Sequence, residues 1–122
     1  MQTNTAASAI STLDGTWQLN YISGPRIAFE GLYPEKKPEI TFNTADTSFS
    51  GNTSCNNFRG KLDADASSIH FPEAMAMTRM MCPGEGETVF INTLKKINKY
   101  SVSDSVLNLI MGDIALMRFV KK

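Results

Sequence analysis

The residues of this chain with the most reactive side chains are two cysteines and one histidine. Cys55 and Cys82 lie 27 positions apart, and the histidine is His70. A structural zinc site takes four cysteine or histidine ligands with a characteristic spacing, and the sequence contains no second cysteine pair. Two interpretations therefore stay open. The cysteines form one disulfide, which stabilises the fold by about 3–4 kcal/mol in the chain-entropy treatment, or they are buried free thiols, as is usual in a cytosolic protein.

A nucleophilic dyad of either cysteine with His70 would be a second kind of chemistry. Such a dyad needs the imidazole within hydrogen-bond reach of the sulfur and a third group to orient it. His70 lies between Ile69 and Phe71 on a predicted strand, so its side chain faces away from theirs, toward solvent. A serine hydrolase is not better supported, because the sequence has no G-x-S-x-G motif. We predict no catalytic residue and no enzymatic activity.

Four methionines cluster before Cys82, and thioether ligands with a thiolate would suit copper(I). Alternation places Met75 and Met77 on one face, while Met80 and Met81 lie beyond a threonine and an arginine. This arrangement favours core packing, because methionine fills irregular gaps well. We therefore predict no metal and no cofactor. Methionines on an exposed surface would instead suit an adaptable groove for an apolar ligand or peptide.

The composition is that of one ordinary folded domain. The 122 residues are 42% hydrophobic and include 12 basic and 12 acidic side chains. A chain of this length fits one domain with its own hydrophobic core. Because the net charge is zero, no overall field attracts nucleic acid or anionic lipid, and we predict neither as a partner. No apolar run approaches the roughly 18 residues of a membrane-spanning helix. We expect the protein to be a monomer.

Residues 1–13 are rich in alanine, serine and threonine. They have neither the basic start nor the apolar stretch of a signal peptide. We predict a flexible leader over residues 1–13 and a single domain over residues 14–122. Such a leader would suit the mature start of an exported chain, with Met1 added for expression.

Alternating hydrophobic residues predict several short strands. Residues 15–22 alternate, with Trp17 and Tyr21 on the same face and polar residues on the other. Residues 58–62 and 68–71 are predicted to pair as a hairpin. The other predicted strands are residues 39–42, 47–51, 100–102, 106–111 and 114–120.

One amphipathic helix is predicted over residues 85–99. Phe90, Leu94 and Ile97 share one face of it, and Lys99 lies in the last turn, where the helix dipole favours a cation. One helix covers only one face or end of a sheet. The predicted fold is therefore α+β, a curved, mostly antiparallel sheet or partial barrel of about eight short strands with one helix. The predicted core residues are Trp17, Phe42, Phe49, Phe71, Phe90, Leu94, Ile97, Leu107, Leu109 and Phe119.

Asparagines and aspartates at two places predict turns. Asn56 and Asn57 are predicted to form a fixed corner, because asparagine tolerates a left-handed backbone and bonds its own main chain. Asp63 and Asp65 are predicted to serve the turn in which they lie, for the same reason.

Five short patterns follow one another along the chain. They are G-T-W-Q-L at residues 15–19, S-G-N-T-S-C-N-N-F-R-G at 50–60, T-R-M-M-C at 78–82, E-x-x-F-x-x-x-L at 87–94 and L-x-L at 107–109. In this order they resemble the META-domain family, which includes HslJ-like heat-shock proteins, over residues 13–120. The residues that match the family motifs, and to which the resemblance gives structural roles, are Gly15, Trp17, Leu19, Gly51, Asn56, Phe58, Gly60, Thr78, Met80, Glu87, Phe90 and Leu94.

The resemblance implies an exported bacterial protein, periplasmic or anchored to the outer membrane, and attached to a membrane only through a lipid anchor that this chain lacks. Both cysteines occupy family positions, which favours a disulfide between Cys55 and Cys82. The implied function is a non-enzymatic accessory or binding module, linked to stress, for an unknown protein. The alternative is a carrier of a small apolar ligand or peptide. A cysteine-dependent or copper-handling activity is a third, less favoured alternative.

Three residues depart from the family pattern. Ser54 lies where the family often has a glycine, which leaves open whether the backbone has a positive φ at this point. Leu62 replaces an aromatic residue. Met81 replaces a small residue, which predicts that the pocket under Cys82 is filled differently.

Overall fold

The computed structural model describes residues 10–24 and 28–122, so residues 1–9 of the predicted leader lie outside the described residues. Between the strands, the described residues form two helices, α1 (Phe29–Leu32) and α2 (Gly86–Leu94). The strands of the described residues, in chain order, are β1 (Gly15–Ile22), β2 (Glu39–Asn43), β3 (Ser48–Asn52), β4 (Asn57–Lys61), β5 (Asp63–Ala64), β6 (Ile69–His70), β7 (Ala76–Met77), β8 (Lys99–Ser103), β9 (Val106–Met111) and β10 (Ile114–Lys121).

Eight of these strands form one sheet, in the order β7-β4-β3-β2-β1-β10-β9-β8. Every neighbouring pair is antiparallel. The first and last strands, β1 and β10, pair in the middle of the sheet, and β7 and β8 are its two edges, so the sheet does not close. The predicted α+β class, with a mostly antiparallel sheet and a packed helix, is confirmed.

The folded part of the chain begins before residue 14. Leu13 is fully buried, and Trp17 Nε1 donates a hydrogen bond of 2.8 Å to Leu13 O. The carboxylate of Asp14 accepts hydrogen bonds of 2.7 and 2.9 Å from the N–H and the hydroxyl of Thr44. Leu13, which the sequence analysis placed in the leader, is therefore packed in the core.

A β-bulge in β1 corrects the predicted face of Tyr21. Leu19 pairs with Phe119, but Tyr21, two residues further on, pairs with Arg118, which is directly next to Phe119. The extra residue reverses the alternation of the strand. Tyr21 is consequently exposed beneath the guanidinium of Arg118, and Ile22 is buried in its place.

The predicted hairpin of residues 58–62 and 68–71 is wrong. β4 pairs with β3 and β7, whereas β6 pairs with the two-residue strand β5. The turn between β5 and β6 is closed by Asp65, whose carboxylate accepts the backbone N–H of Ser67 at 3.1 Å and of Ser68 at 2.9 Å. These bonds lower the pKa of Asp65. The turn role predicted for Asp65 is confirmed. Asp63, predicted for the same turn, lies instead in β5 and pairs with His70.

Helix α2 is shorter than the helix predicted over residues 85–99. It covers Gly86–Leu94. The backbone N–H of Asn98 then donates to Ile110 O in β9 at 2.9 Å, and Lys99 begins β8. The backbone N–H groups of residues 95–97 still bond back to carbonyls of α2, and from Asn98 onward the sheet supplies the hydrogen-bond partners, so the helix does not continue to Lys99.

Aromatic rings pack α2 against the sheet. Phe90 is fully buried, and its ring lies 5.8 Å from the ring of Phe58 in β4 and 6.4 Å from that of Phe119 in β10. Phe49 in β3 continues the series, with its ring 6.2 Å from that of Phe58. Tilted and edge-on pairs of this kind stabilise a core beyond the area that they bury. Every one of the predicted core residues is buried, so that prediction is confirmed.

Gly51 lets three strands approach closely, and this predicts the effect of Gly51→Ala. A Cβ atom at this position would lie 2.1 Å from Glu39 O and 2.8 Å from the Phe58 ring. Because Glu39 O belongs to a paired strand, the strands would have to separate, and we expect the free energy of unfolding to fall by about 1–3 kcal/mol. Urea denaturation measures this, with the exposed neighbour Ser50→Ala as the control. Equal stability of the two variants would contradict the expected clash.

Candidate functional site

A disulfide joins the turn after β3 to the segment before α2. Cys55 and Cys82 are bonded, and their Cα atoms lie 6.0 Å apart. The pairing implied by the family resemblance is therefore present. Because both sulfurs are in this bond, neither residue is a free thiol in the structure. Both residues are half-buried.

The turn between β3 and β4 fixes Cys55 and contains a strained residue. Thr53 N–H donates to Asn56 O at 2.8 Å, and Asn56 N–H donates to Thr53 Oγ1 at 2.9 Å. Ser54 has a φ of 85°, in the region that favours glycine. The backbone at Ser54 therefore has the positive φ that a glycine would favour, which answers the question raised by the serine at this family position. The left-handed residue is Ser54, not either of the asparagines for which the corner was predicted.

The side-chain amide of Asn56 is buried and bonded on both sides, with the residue only 2% exposed. Its Oδ1 accepts hydrogen bonds from Met80 N–H at 2.7 Å and from the Thr78 hydroxyl at 2.9 Å. Its Nδ2 donates to Met80 O at 3.1 Å and to Glu87 Oε2 at 2.8 Å. One amide therefore joins the turn after β3 to the segment of Thr78 and Met80 and to α2, both more than 20 residues further along the chain, a role that the predicted local corner missed.

Glu87, in the first turn of α2, takes part in this network through one of its two carboxylate oxygens. Oε2 accepts hydrogen bonds from Thr53 Oγ1 at 2.7 Å and Asn56 Nδ2 at 2.8 Å. Oε1 lies 3.4 Å from Cys82 Sγ, and a disulfide sulfur has no hydrogen to donate. Sequence reasoning identified Glu87 only as a motif residue. It missed Thr53, because the two residues are 34 positions apart and no local pattern links them.

An open cleft of about 300 Å³, here called the disulfide cleft, lies beside this network. Tyr33 lines it, and the Tyr33 hydroxyl donates to Gly86 O at 2.9 Å. Burial raises the pKa of Tyr33, so this hydroxyl is neutral at physiological pH. The apolar wall of the cleft is formed by Leu32, Tyr33, Pro34, Met80 and Pro83. The charged side chains among its described lining residues are Glu35 and Glu87.

Larger depressions, of about 530 and 620 Å³, lie along β3, β4 and β7. Both are lined by strand residues, among them exposed Arg59. The disulfide, the amide network and the carboxylate of Glu87 meet instead at the smaller disulfide cleft. Binding sites are recognised by convergent polar groups in an apolar pocket, so we take the disulfide cleft as the candidate site.

The clustered methionines divide into two pairs. Met75 and Met77 are half-buried and pack against the core, as the packing interpretation predicted. Met80 and Met81 are 62% and 93% exposed. Met81 is therefore exposed and does not itself fill a pocket under Cys82. The exposure of Met80 and Met81 matches the alternative interpretation, in which exposed methionines form an adaptable surface for an apolar ligand or peptide.

His70 does not belong to this site. It is exposed on β6, opposite Asp63, which confirms the predicted solvent-facing side chain. Across residues 10–24 and 28–122, no group of three or more histidine, cysteine, aspartate or glutamate side chains is placed to hold a metal ion. Within the same ranges, no helix is both long and apolar enough to span a membrane.

The chain belongs to the META-domain family, because the model of this family, described as the META domain, matches residues 10–122. A protein from Burkholderia xenovorans solved by NMR is 20% identical, with a TM-score of 0.70 and an alignment that covers 100% of this chain and 92% of that one. A DUF4847 family protein from Bacteroides vulgatus, solved by crystallography, is 17% identical, with a TM-score of 0.64 and coverage of 90% and 94%. These likenesses show the fold. A comparison with curated proteins gives no match.

The positive φ of Ser54 predicts that Ser54→Gly stabilises the protein relative to Ser54→Ala. Both changes remove the hydroxyl, but only glycine relieves the backbone strain, which is about 1 kcal/mol for a single residue. The bond from Ser54 N–H to Asn52 Oδ1, at 3.0 Å, is kept in both. We expect the glycine variant to be more stable by roughly 0.5–1 kcal/mol in urea denaturation. An alanine variant that is as stable as the glycine variant would show that the turn is not strained.

The amide network predicts a large effect of Asn56→Asp. The introduced carboxylate would place an oxygen without hydrogen where Nδ2 now lies, 2.8 Å from Glu87 Oε2 and 3.1 Å from Met80 O. Burial and the neighbouring carboxylate raise the pKa of the introduced group above its unfolded value. Its ionised form therefore destabilises the folded protein, and stability recovers as the pH falls through the raised pKa.

We expect Asn56→Asp to lose about 3 kcal/mol or more at pH 7, and less at about pH 5. The exposed neighbour Asn57→Asp makes the same change in charge and serves as the control. Urea denaturation at the two pH values provides the measurement. A loss that is the same in both variants, or that does not shrink on acidification, would contradict the network.

Proposed function

We propose that this chain is a non-enzymatic binding module that recognises an apolar segment of a partner protein at the disulfide cleft. The observation that carries the proposal is the exposure of Met80 and Met81, at 62% and 93%, beside the cleft. Methionine side chains are flexible and polarisable, and binding surfaces that adapt to their partners use them for this reason. Covering them would remove a large apolar area from water.

The backbone that carries these methionines is held at several points, which supports a docking role. Asn56 bonds both the N–H and the C=O of Met80. Thr78 N–H donates to Asn57 O at 3.0 Å, and the disulfide fixes Cys82. A backbone that is already ordered loses less conformational entropy on binding. The freedom of this segment is thus concentrated in the exposed methionine side chains.

We assign the site no catalytic step because its polar groups are used to hold the loops together. The amide of Asn56 and Oε2 of Glu87 are bonded within the network, and both cysteines are joined. Nucleophilic catalysis by cysteine requires a thiolate with a base beside it. The arrangement supports binding through shape, apolar contact and charge.

We further propose that the module acts in the bacterial envelope, in the periplasm or anchored to the outer membrane. The disulfide supports this, since disulfides persist in oxidising compartments and are rare in the cytosol. The link to stress is part of the same proposal and rests on the family alone. Alkylation of thiols in intact source cells tests the compartment, and two alkylated cysteines would contradict it.

A carrier of a small apolar ligand is the second candidate function. The volume of the disulfide cleft, about 300 Å³, favours it, because this is at the lower end of small-molecule sites. It ranks second because it gives no role to Met81, which is exposed and does not line the cleft.

A peptide selection tests the proposed function. The oxidised chain selects binders from a library of short random peptides, and each enriched peptide is titrated into protein with isotope-labelled methionine methyl groups. We expect the NMR signals of Met80 and Met81 to shift, while those of Met111 on β9 and buried Met117 on β10 stay in place. Enriched peptides that shift neither Met80 nor Met81 would overturn the proposal.

Substitution of the two methionines gives a quantitative measure. Met80→Gln combined with Met81→Gln should weaken the binding of an enriched peptide about tenfold or more, since burying one methionine contributes roughly 1.5–3 kcal/mol. Met111→Gln, which changes an exposed methionine elsewhere, is the matched control. A double variant that binds as tightly as this control would contradict the proposed docking surface.

A further inference from the structure

One oxygen of Glu87 receives no hydrogen bond from the described residues. Thr53 and Asn56 both donate to Oε2, whereas the close neighbour of Oε1 is Cys82 Sγ at 3.4 Å, which has no hydrogen. A thiol at this position would have a hydrogen to donate, so the disulfide keeps Oε1 available. Glu87 is half-buried, and water therefore compensates its charge only in part. Such an oxygen favours a donor that carries positive charge.

The surroundings of this oxygen favour the same kind of group. Glu35 is a second carboxylate in the lining of the disulfide cleft, and the described lining residues include no lysine, arginine or histidine. Two negative charges in a cleft with an apolar wall attract a cation. The wall itself, which includes Leu32, Pro34 and Pro83, suits an aliphatic chain. The complementary ligand is therefore a cationic head on an apolar stem.

We infer that the disulfide cleft receives a lysine or arginine side chain of the partner segment, with its cationic head bonded to Glu87 Oε1. Both side chains carry a charged head on an aliphatic stem, so the stem contacts the apolar wall while the head reaches the carboxylate. Neighbouring apolar residues of the segment then contact Met80 and Met81. The inference rests on the proposed function and adds the charge that the partner must bring.

Glu87→Gln isolates this charge from the structural role of the side chain. The glutamine carbonyl oxygen replaces Oε2 and accepts the hydrogen bonds from Thr53 and Asn56, so the network is kept. Its NH2 group then takes the place of Oε1 and offers a cation no acceptor. Glu85→Gln is the matched control, because it removes the same charge at the N-cap of the same helix, outside the lining of the cleft. Thermal unfolding verifies that both variants are folded.

The probes are peptides enriched on the unmodified chain and the same peptides with norleucine in place of the basic residue. Norleucine keeps an aliphatic stem and removes the charge. We expect the basic peptide to bind the unmodified chain about tenfold more tightly than the norleucine peptide, as measured by calorimetry. Glu87→Gln should remove this preference, and Glu85→Gln should retain it.

The possible failures are distinguishable. Enriched peptides that contain no lysine or arginine, or a preference for the basic peptide that Glu87→Gln leaves intact, overturn the inference and leave the proposed function in place. Enriched peptides that shift neither Met80 nor Met81 overturn both. Added salt gives a measurement that needs no variant: the preference for the basic peptide should shrink as ionic strength rises, and a preference independent of salt overturns the inference.

Discussion

The buried amide of Asn56 is the interaction on which the candidate site depends. It bonds the backbone of Met80 in both directions, accepts the hydroxyl of Thr78 and donates to the carboxylate of Glu87. A buried polar group left without a partner costs about 1–3 kcal/mol, so these bonds must form together. The turn after β3, the segment before the disulfide and the first turn of α2 are thereby held in one arrangement. The exposed methionines and the unpaired oxygen of Glu87 owe their positions to it.

Apolar packing determines where this coupling takes place. The ring of Phe90 contacts those of Phe58 and Phe119, which fixes α2 against strands on both sides of the sheet centre. Glu87 lies three residues earlier on the same helix, so the packing of Phe90 brings its carboxylate to the turn that holds Thr53 and Asn56. The disulfide adds a covalent link between the same two regions. The candidate site therefore depends on the core. The position of Glu87 is fixed because α2, which contains it, is packed against the sheet through the buried Phe90.

Much of the fold was predictable because alternation and helical periodicity report local backbone conformation. The bounds of β1 and β9 and the burial of residues such as Trp17 and Phe90 follow from such patterns. The errors arose where another segment changed the outcome. Pairing with β10 introduced the bulge that exposes Tyr21, and pairing of Asn98 with β9 ended α2 early. Neither effect can be predicted from the local sequence of the residues concerned, because each depends on hydrogen bonds to a distant strand.

The sequence alone determined the class of the fold, the core and the solvent-facing position of His70. Through the order of its motifs it also indicated the family, and that resemblance favoured the pairing of Cys55 with Cys82. Only the tertiary structure decided what the motif residues do. It placed Asn56 against Glu87, left one oxygen of Glu87 without a hydrogen-bond donor among the described residues and gave Ser54 its positive φ. It also separated the exposed methionines from the half-buried ones. The physical reason is the separation along the chain over which each kind of interaction acts. Periodicity and turn chemistry act between near neighbours, whereas the site is made of side chains about 30 positions apart that meet only after the helix has packed on the sheet.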